Sequence, residues 1–100
     1  MPFDPTIRQI IASFRQADAW DTALDVRLLR ALWPRIVGEG LASATSVVDV
    51  RDSRLILRVR DETWKEQLVA TRGWLLKRVN EPWPARWITS IGFVYEDIRN

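Results

Sequence analysis

The chain of 100 residues contains no histidine and no cysteine. Without histidine, the side chain that most often acts as a general base near neutral pH is missing, and with it the Ser–His–Asp and Cys–His arrangements. Without cysteine there is no disulfide framework and no thiolate metal site. Glycine is scarce, at four residues, and none of the four makes a G-x-x-G loop. Gly38-Glu39-Gly40 is not followed by the Lys-Ser/Thr of a phosphate-binding loop. No apolar run approaches the ~18 residues that span a bilayer. Met1 to Phe14 lacks the basic stretch and long apolar segment of a signal peptide. These absences predict a cytoplasmic protein that is not an enzyme, holds no cofactor or metal, and does not engage a membrane.

What is present predicts a folded domain. A hydrophobic fraction of 47% is that of an ordinary globular protein, and the length fits one domain, residues 1–100. The net charge of +2 is unevenly spread. Residues 1–50 carry five arginines against six acids, and residues 51–100 carry ten Lys/Arg against seven acids. Thirteen of the fifteen cations are arginine, which suits bidentate phosphate contacts better than lysine does.

Hydrophobic periodicity predicts the elements. Asp4-Pro5 opens a short amphipathic helix over 5–16, with Ile7, Ile10, Ile11 and Phe14 on one stripe. Residues 1–20 thus form a helical extension to a core of about 22–95. Asp21 and Thr22 start a second helix over 22–38, bent at Pro34, with Val26, Leu29, Trp33, Ile36 and Val37 along its apolar side. Asp25 lies in its first turn, and Gly38 and Gly40 end it. Residues 45–60 alternate as a hairpin around Asp52-Ser53, pairing Val50 with Leu55 and Val48 with Leu57. Asp61 caps a helix over 62–79 carrying Trp64, Leu68, Leu75 and Val79. After the stiff Glu81-Pro82-Trp83-Pro84, a strand over 87–95 closes the chain, and the last few residues fray.

The resulting fold class is α+β, in the order α-α-β-β-α-β, with a three-stranded mixed sheet and helices on one face. A right-handed strand–helix–strand crossover makes the last strand parallel to the second. The other sheet face then stays open and carries Arg51, Arg54, Arg58 and Arg60. Arg51 and Arg54 should face each other across the turn, a like-charge pairing that an acidic or phosphate partner would relieve. With Lys65 and Arg72, these arginines are the candidate nucleic-acid contacts. A solvated face partly neutralised by Asp49 and Asp52 is the plainer account. Trp33 and Trp64 fall on core stripes, whereas Trp74 and Trp83 fall off them. The latter two are candidates for partner binding or for packing beneath a loop. Asp61, Glu62 and Glu66 need no metal, since capping and the helix dipole account for them.

Trp33-Pro34-Arg35-Ile36-Val37-Gly38 resembles the W-x-x-(I/V)-V-G signature of the DciA family of bacterial proteins associated with the replicative helicase. Leu41-Ala42-Ser43-Ala44-Thr45, Leu55-Ile56-Leu57-Arg58-Val59, Trp64-Lys65-Glu66-Gln67-Leu68, Val79-Asn80 and the Ile88/Ile91/Phe93 triplet resemble its later motifs, in order, across residues 24–95. The resemblance implies a KH-like domain that binds the replicative helicase and single-stranded DNA during replication initiation; the sequence leaves DNA and RNA open as the single-stranded partner. Trp33, Val37, Gly38, Trp64 and Leu68 are its structural signature. Lacking a G-x-x-G clamp, such a domain would grip nucleic acid by its sheet or its arginines. The rival expectation is a protein–protein adaptor with no nucleic-acid binding of its own.

Overall fold

The structure is a computed structural model that describes residues 5–16 and 21–95. Asp4, expected to cap the first helix, and residues 96–100, which include the end expected to fray, lie outside the described residues. The elements are α1 (Pro5–Arg15), α2 (Thr22–Val37), α3 (Glu39–Ala44), β1 (Thr45–Arg51), β2 (Arg54–Val59), α4 (Glu62–Ala70), α5 (Arg72–Asn80) and β3 (Ser90–Tyr95). The sheet runs β1-β2-β3, with β1 antiparallel and β3 parallel to β2. This is the α+β class with a mixed three-stranded sheet, compatible with the KH-like arrangement.

Capping explains where the helices begin. The Asp21 carboxylate accepts from the Leu24 amide at 2.9 Å, and Asp61 accepts from Trp64 at the same distance. α2 continues through Pro34 as one element and ends at Gly38, whose φ of 93° and ψ of 153° suit only glycine without strain. That residue does more than stop a helix. Its amide donates to Pro34 and its carbonyl accepts from Ala42, so the chain turns directly into α3. Periodicity offered no sign of α3, because it is little more than one turn long.

The helix expected over 62–79 is two helices. The chain breaks at Thr71 (φ −110°, ψ 24°), whose hydroxyl and amide both donate to the Gln67 carbonyl. Local side-chain competition of this kind ends a helix without proline or glycine. Leu68, Leu75 and Val79 still reach the core, whereas Trp64 is only half-buried at the start of α4. The closing strand is also shorter than 87–95. Trp87 precedes it, since its amide is bound by the Asn80 side chain rather than by a strand. Asn80 fastens this whole connection. Its oxygen accepts from Trp87 and Ile88, and its Nδ2 donates to Leu76 and Ile88.

The hairpin turn is as expected, with φ of 53° at Asp52 and 64° at Ser53, the two left-handed residues of a type I′ turn. Val50 pairs with Leu55, but Leu57 pairs with Val47, not Val48. A β-bulge between Val47 and Asp49 takes up the extra residue. The bulge is sealed by Arg30 of α2, whose Nε donates to the Val47 carbonyl at 3.1 Å and whose Nη2 donates to that of Val48.

One face of the sheet presents Val47, Leu55, Leu57, Val59 and Ile91 to the helices, and all five are buried. Leu29, Leu32, Trp33 and Ile36 of α2 close over them, joined by Leu68, Leu75 and Val79. α1 adds Ile7 and Ile11, both buried, while Phe14 stays exposed. Among the signature residues, Trp33 lies in this core and its Nε1 donates to the Thr45 hydroxyl at 2.9 Å.

A buried charge ties the helical layer together. Asp25 is 2% exposed. Arg15 at the end of α1 donates to its Oδ2 at 2.8 Å, and the Trp83 indole donates to its Oδ1 at 2.9 Å. Trp83, a candidate for partner contact in the sequence, is therefore buried at 5% exposure. It packs against Trp87 with ring centroids 5.0 Å apart. Both oxygens of the carboxylate are satisfied, which a buried charge requires. Replacing Asp25 by alanine leaves the buried Trp83 indole N–H without its acceptor and removes one contact of the Arg15 guanidinium. Asp25→Ala is expected to lower stability by ~1–3 kcal/mol, the scale of an unsatisfied buried donor, seen as a reduced urea midpoint at unchanged slope.

Candidate nucleic-acid interface

Alternation along the strands decides what the second face of the sheet carries. The register places Ser46, Asp49 and Arg51 of β1 beside Arg58, Ile56 and Arg54 of β2, and those beside Val94, Gly92 and Ser90 of β3. The three arginines are exposed, and among the described residues no helix lies over them. Arg51 and Arg54 are cross-strand partners, as the two-residue turn predicted.

The arginines are not equivalent. Arg51 is held by Asp49 at 3.0 Å. That hydrogen bond, then the Val50 amide, then the charges of Arg51 and Arg30, outweigh desolvation and hold the Asp49 carboxyl below the usual carboxylate range. Arg54, Arg58 and Arg60 are exposed and make no ion pair among the described residues. Arg60 follows the end of β2, and its amide donates to Ala44. Lys65 and Arg72 stand on α4 and α5, in the helical layer. Lys65 lies 5.1 Å from the centroid of the Tyr95 ring. The six candidate cations thus divide between two layers rather than forming one patch.

Arg54 has a neighbour that charge patterning alone did not single out. Its guanidinium lies over Gly92, so that a Cβ built on that glycine would stand 2.7 Å from both Nε and Nη2. Gly92 is buried although the face around it is open. The sequence holds one clue: an isolated glycine in a strand marks a site of close approach.

A different surface lies on α5 and the connection to β3. Trp74 is 49% exposed, and Val69 on α4 is 41% exposed. Alongside runs an open groove of about 520 Å³ whose walls include Gly73, Leu76, Lys77, Pro84 and Arg86. Trp74 lines a smaller hollow beside it with Lys77, Arg78 and Glu81. No group of three or more potential metal ligands occurs among the described residues. No helix among them is long and apolar enough to cross a membrane.

The family model described as Dna[CI] antecedent, DciA matches residues 6–93. The chain belongs to the DciA family. No curated protein sequence matches it significantly. DciA membership associates the chain with the replicative helicase in the initiation of replication. The matched span runs from α1 to β3, so the arginine face and the Trp74 surface both lie inside the family's domain.

The Asp49–Arg51 pair makes a pH prediction. A depressed carboxyl pKa means that the pair's contribution is present above the ordinary aspartate pKa and is lost as pH falls through the lower, folded value. In a carbon-detected NMR titration, the Asp49 carboxyl should titrate below a solvated aspartate. In Arg51→Ala its midpoint should move back toward the ordinary value; an unmoved midpoint would show that the guanidinium is not the main cause.

Proposed function

We propose that this DciA-family domain is a non-catalytic clamp that holds single-stranded nucleic acid on its open sheet face and the replicative helicase on its α4–α5 side. The observation that carries the reading is the uncovered face on which Arg54 and Arg58 stand exposed, with no ion pair among the described residues. Like charges held on a rigid strand cost free energy in the empty protein, and a phosphodiester chain relieves that cost. Arg60 extends the same row by one more pleat. Arg51, already neutralised by Asp49, contributes orientation more than charge.

For the helicase, the support is Trp74. A tryptophan about half exposed on a helix, beside a groove with mixed apolar and cationic walls, has the character of an interface anchor. Trp83 is withdrawn from that role by its burial against Asp25. The adaptor reading keeps this half and drops the sheet, so the two surfaces can be tested separately.

A labelled 20-mer of single-stranded DNA should bind at low salt. If Arg54, Arg58 and Arg60 each neutralise one phosphate, affinity should fall about 20-fold between 50 and 200 mM salt. Arg54→Glu combined with Arg58→Glu should abolish that binding, leaving the melting temperature and helicase pull-down unchanged. Trp74→Ala should do the reverse. Failure of the wild-type protein to bind at low salt removes the nucleic-acid half. Pull-down that survives Trp74→Ala removes the assignment of that residue.

A further inference from the structure

We infer that Gly92 is a positioning residue: its missing side chain lets the Arg54 guanidinium turn one edge in against the strand, which makes the face a reader of phosphodiester backbone and not of bases. This rests on the nucleic-acid reading above and specifies what the face recognises.

The geometry begins with the ladder. Arg54 is level with Ser90, and Gly92 is level with Ile56. Gly92 is therefore the diagonal neighbour of Arg54 on the same face. Any side chain there would occupy the space of the guanidinium, since the Cβ position lies 2.7 Å from two of its nitrogens and 3.0 Å from Cζ. Gly92 is buried under that group on a face that is otherwise open. The strand does not need a glycine for its own conformation, because positive φ among the described glycines occurs only at Gly38. A side chain at 92 would make the exposed, flexible Arg54 side chain swing away from the strand.

Seating changes where the charge stands. Arg54 and Arg58 are four residues apart on one strand, or ~13 Å between backbones. Leaning toward Gly92 carries the Arg54 charge to the level of Ile56, about one pleat repeat (~7 Å) from Arg58 along the strand. The seated guanidinium makes no hydrogen bond among the described residues, so its N–H groups are available to an anion.

Among the described residues, the same face offers no ring. Ser46, Asp49, Ile56, Ser90, Gly92 and Val94 surround the arginines. The two aromatics of β3 point to the other side: Phe93 packs on the core, and the Tyr95 hydroxyl donates to Glu62 of α4. Base stacking on aromatic side chains is the usual source of base contact in single-strand binders, and the described residues of this face supply none. Guanidinium groups above small side chains fit phosphates.

The test compares a deoxythymidine 20-mer, an abasic phosphodiester 20-mer and inorganic polyphosphate at low salt. The two oligomers should bind within about two-fold of each other, with polyphosphate displacing both. A preference of ten-fold or more for the thymidine oligomer would show that bases are read and would overturn the inference while leaving nucleic-acid binding standing. If no polymer binds, both readings fall together. Gly92→Val should weaken binding by roughly three- to five-fold, the scale of one exposed ion pair, and so should Arg54→Ala. In the Arg54→Ala background, Gly92→Val should have no further effect. If instead the two losses add, Gly92 does not act through Arg54. Circular dichroism and thermal melting of each variant distinguish a displaced arginine from a damaged strand.

Discussion

Everything on this domain's two faces follows from the register of one hairpin. A type I′ turn at Asp52-Ser53 fixes Val50 against Leu55, and the bulge at Val48 lets Val47, rather than its neighbour, meet Leu57. A slip of one residue would turn the aliphatic set outward and bury the arginines. The aliphatic core and the cationic face are therefore one constraint seen from two sides. The outward position of the arginines needs no condition beyond Leu55, Leu57 and Val59 being inside.

A domain of this size has little core to spare, and polar side chains do much of the fastening here. Asp25 joins α1, α2 and the Trp83 connection through two donors that come from distant parts of the chain. Asn80 satisfies four backbone groups around the turn into β3. Arg78 of α5 donates to the Ile36 carbonyl near the end of α2, where the last helical carbonyls lack partners. Each of these residues stands where regular structure ends and backbone groups would otherwise be orphaned. The resemblance at Val79-Asn80 acquires a physical reason in this way: the amide both accepts and donates, which neither aspartate nor leucine could do.

Periodicity was enough to locate α1, α2, the hairpin and the order of strands, because each has a long enough pattern, with an aspartate cap at the start of α2 and a tight turn in the hairpin. It was not enough for α3, which is too short to show a period, nor for the break at Thr71, where the apolar stripe runs on through the interruption. Of the two readings of Trp83, packing beneath the loop agrees with its burial; the contact itself was not legible because its partner, Asp25, is 58 residues away and looked fully explained by the helix dipole. The candidate arginines were legible as an alternating outward set. Their inequality was not: Asp49 engages Arg51, and Gly92 seats Arg54, through cross-strand and ion-pair geometry that one-dimensional spacing does not carry. Lys65 and Arg72 illustrate the same limit: they were grouped with the arginines by charge, and their places on α4 and α5 set them apart from the sheet face.

The bulge has one more consequence. A sheet of three strands has two rims, and a rim of unsatisfied amides and carbonyls invites another chain to extend it. On the β1 side, the carbonyls of Val47 and Val48 are already occupied by Arg30, and the irregular spacing there offers no straight template. Lateral growth of the sheet is thereby discouraged at that border by a single side chain reaching across from a helix. The molecule is guarded against sticking to its own copies along β1 without a proline and without shortening the strand.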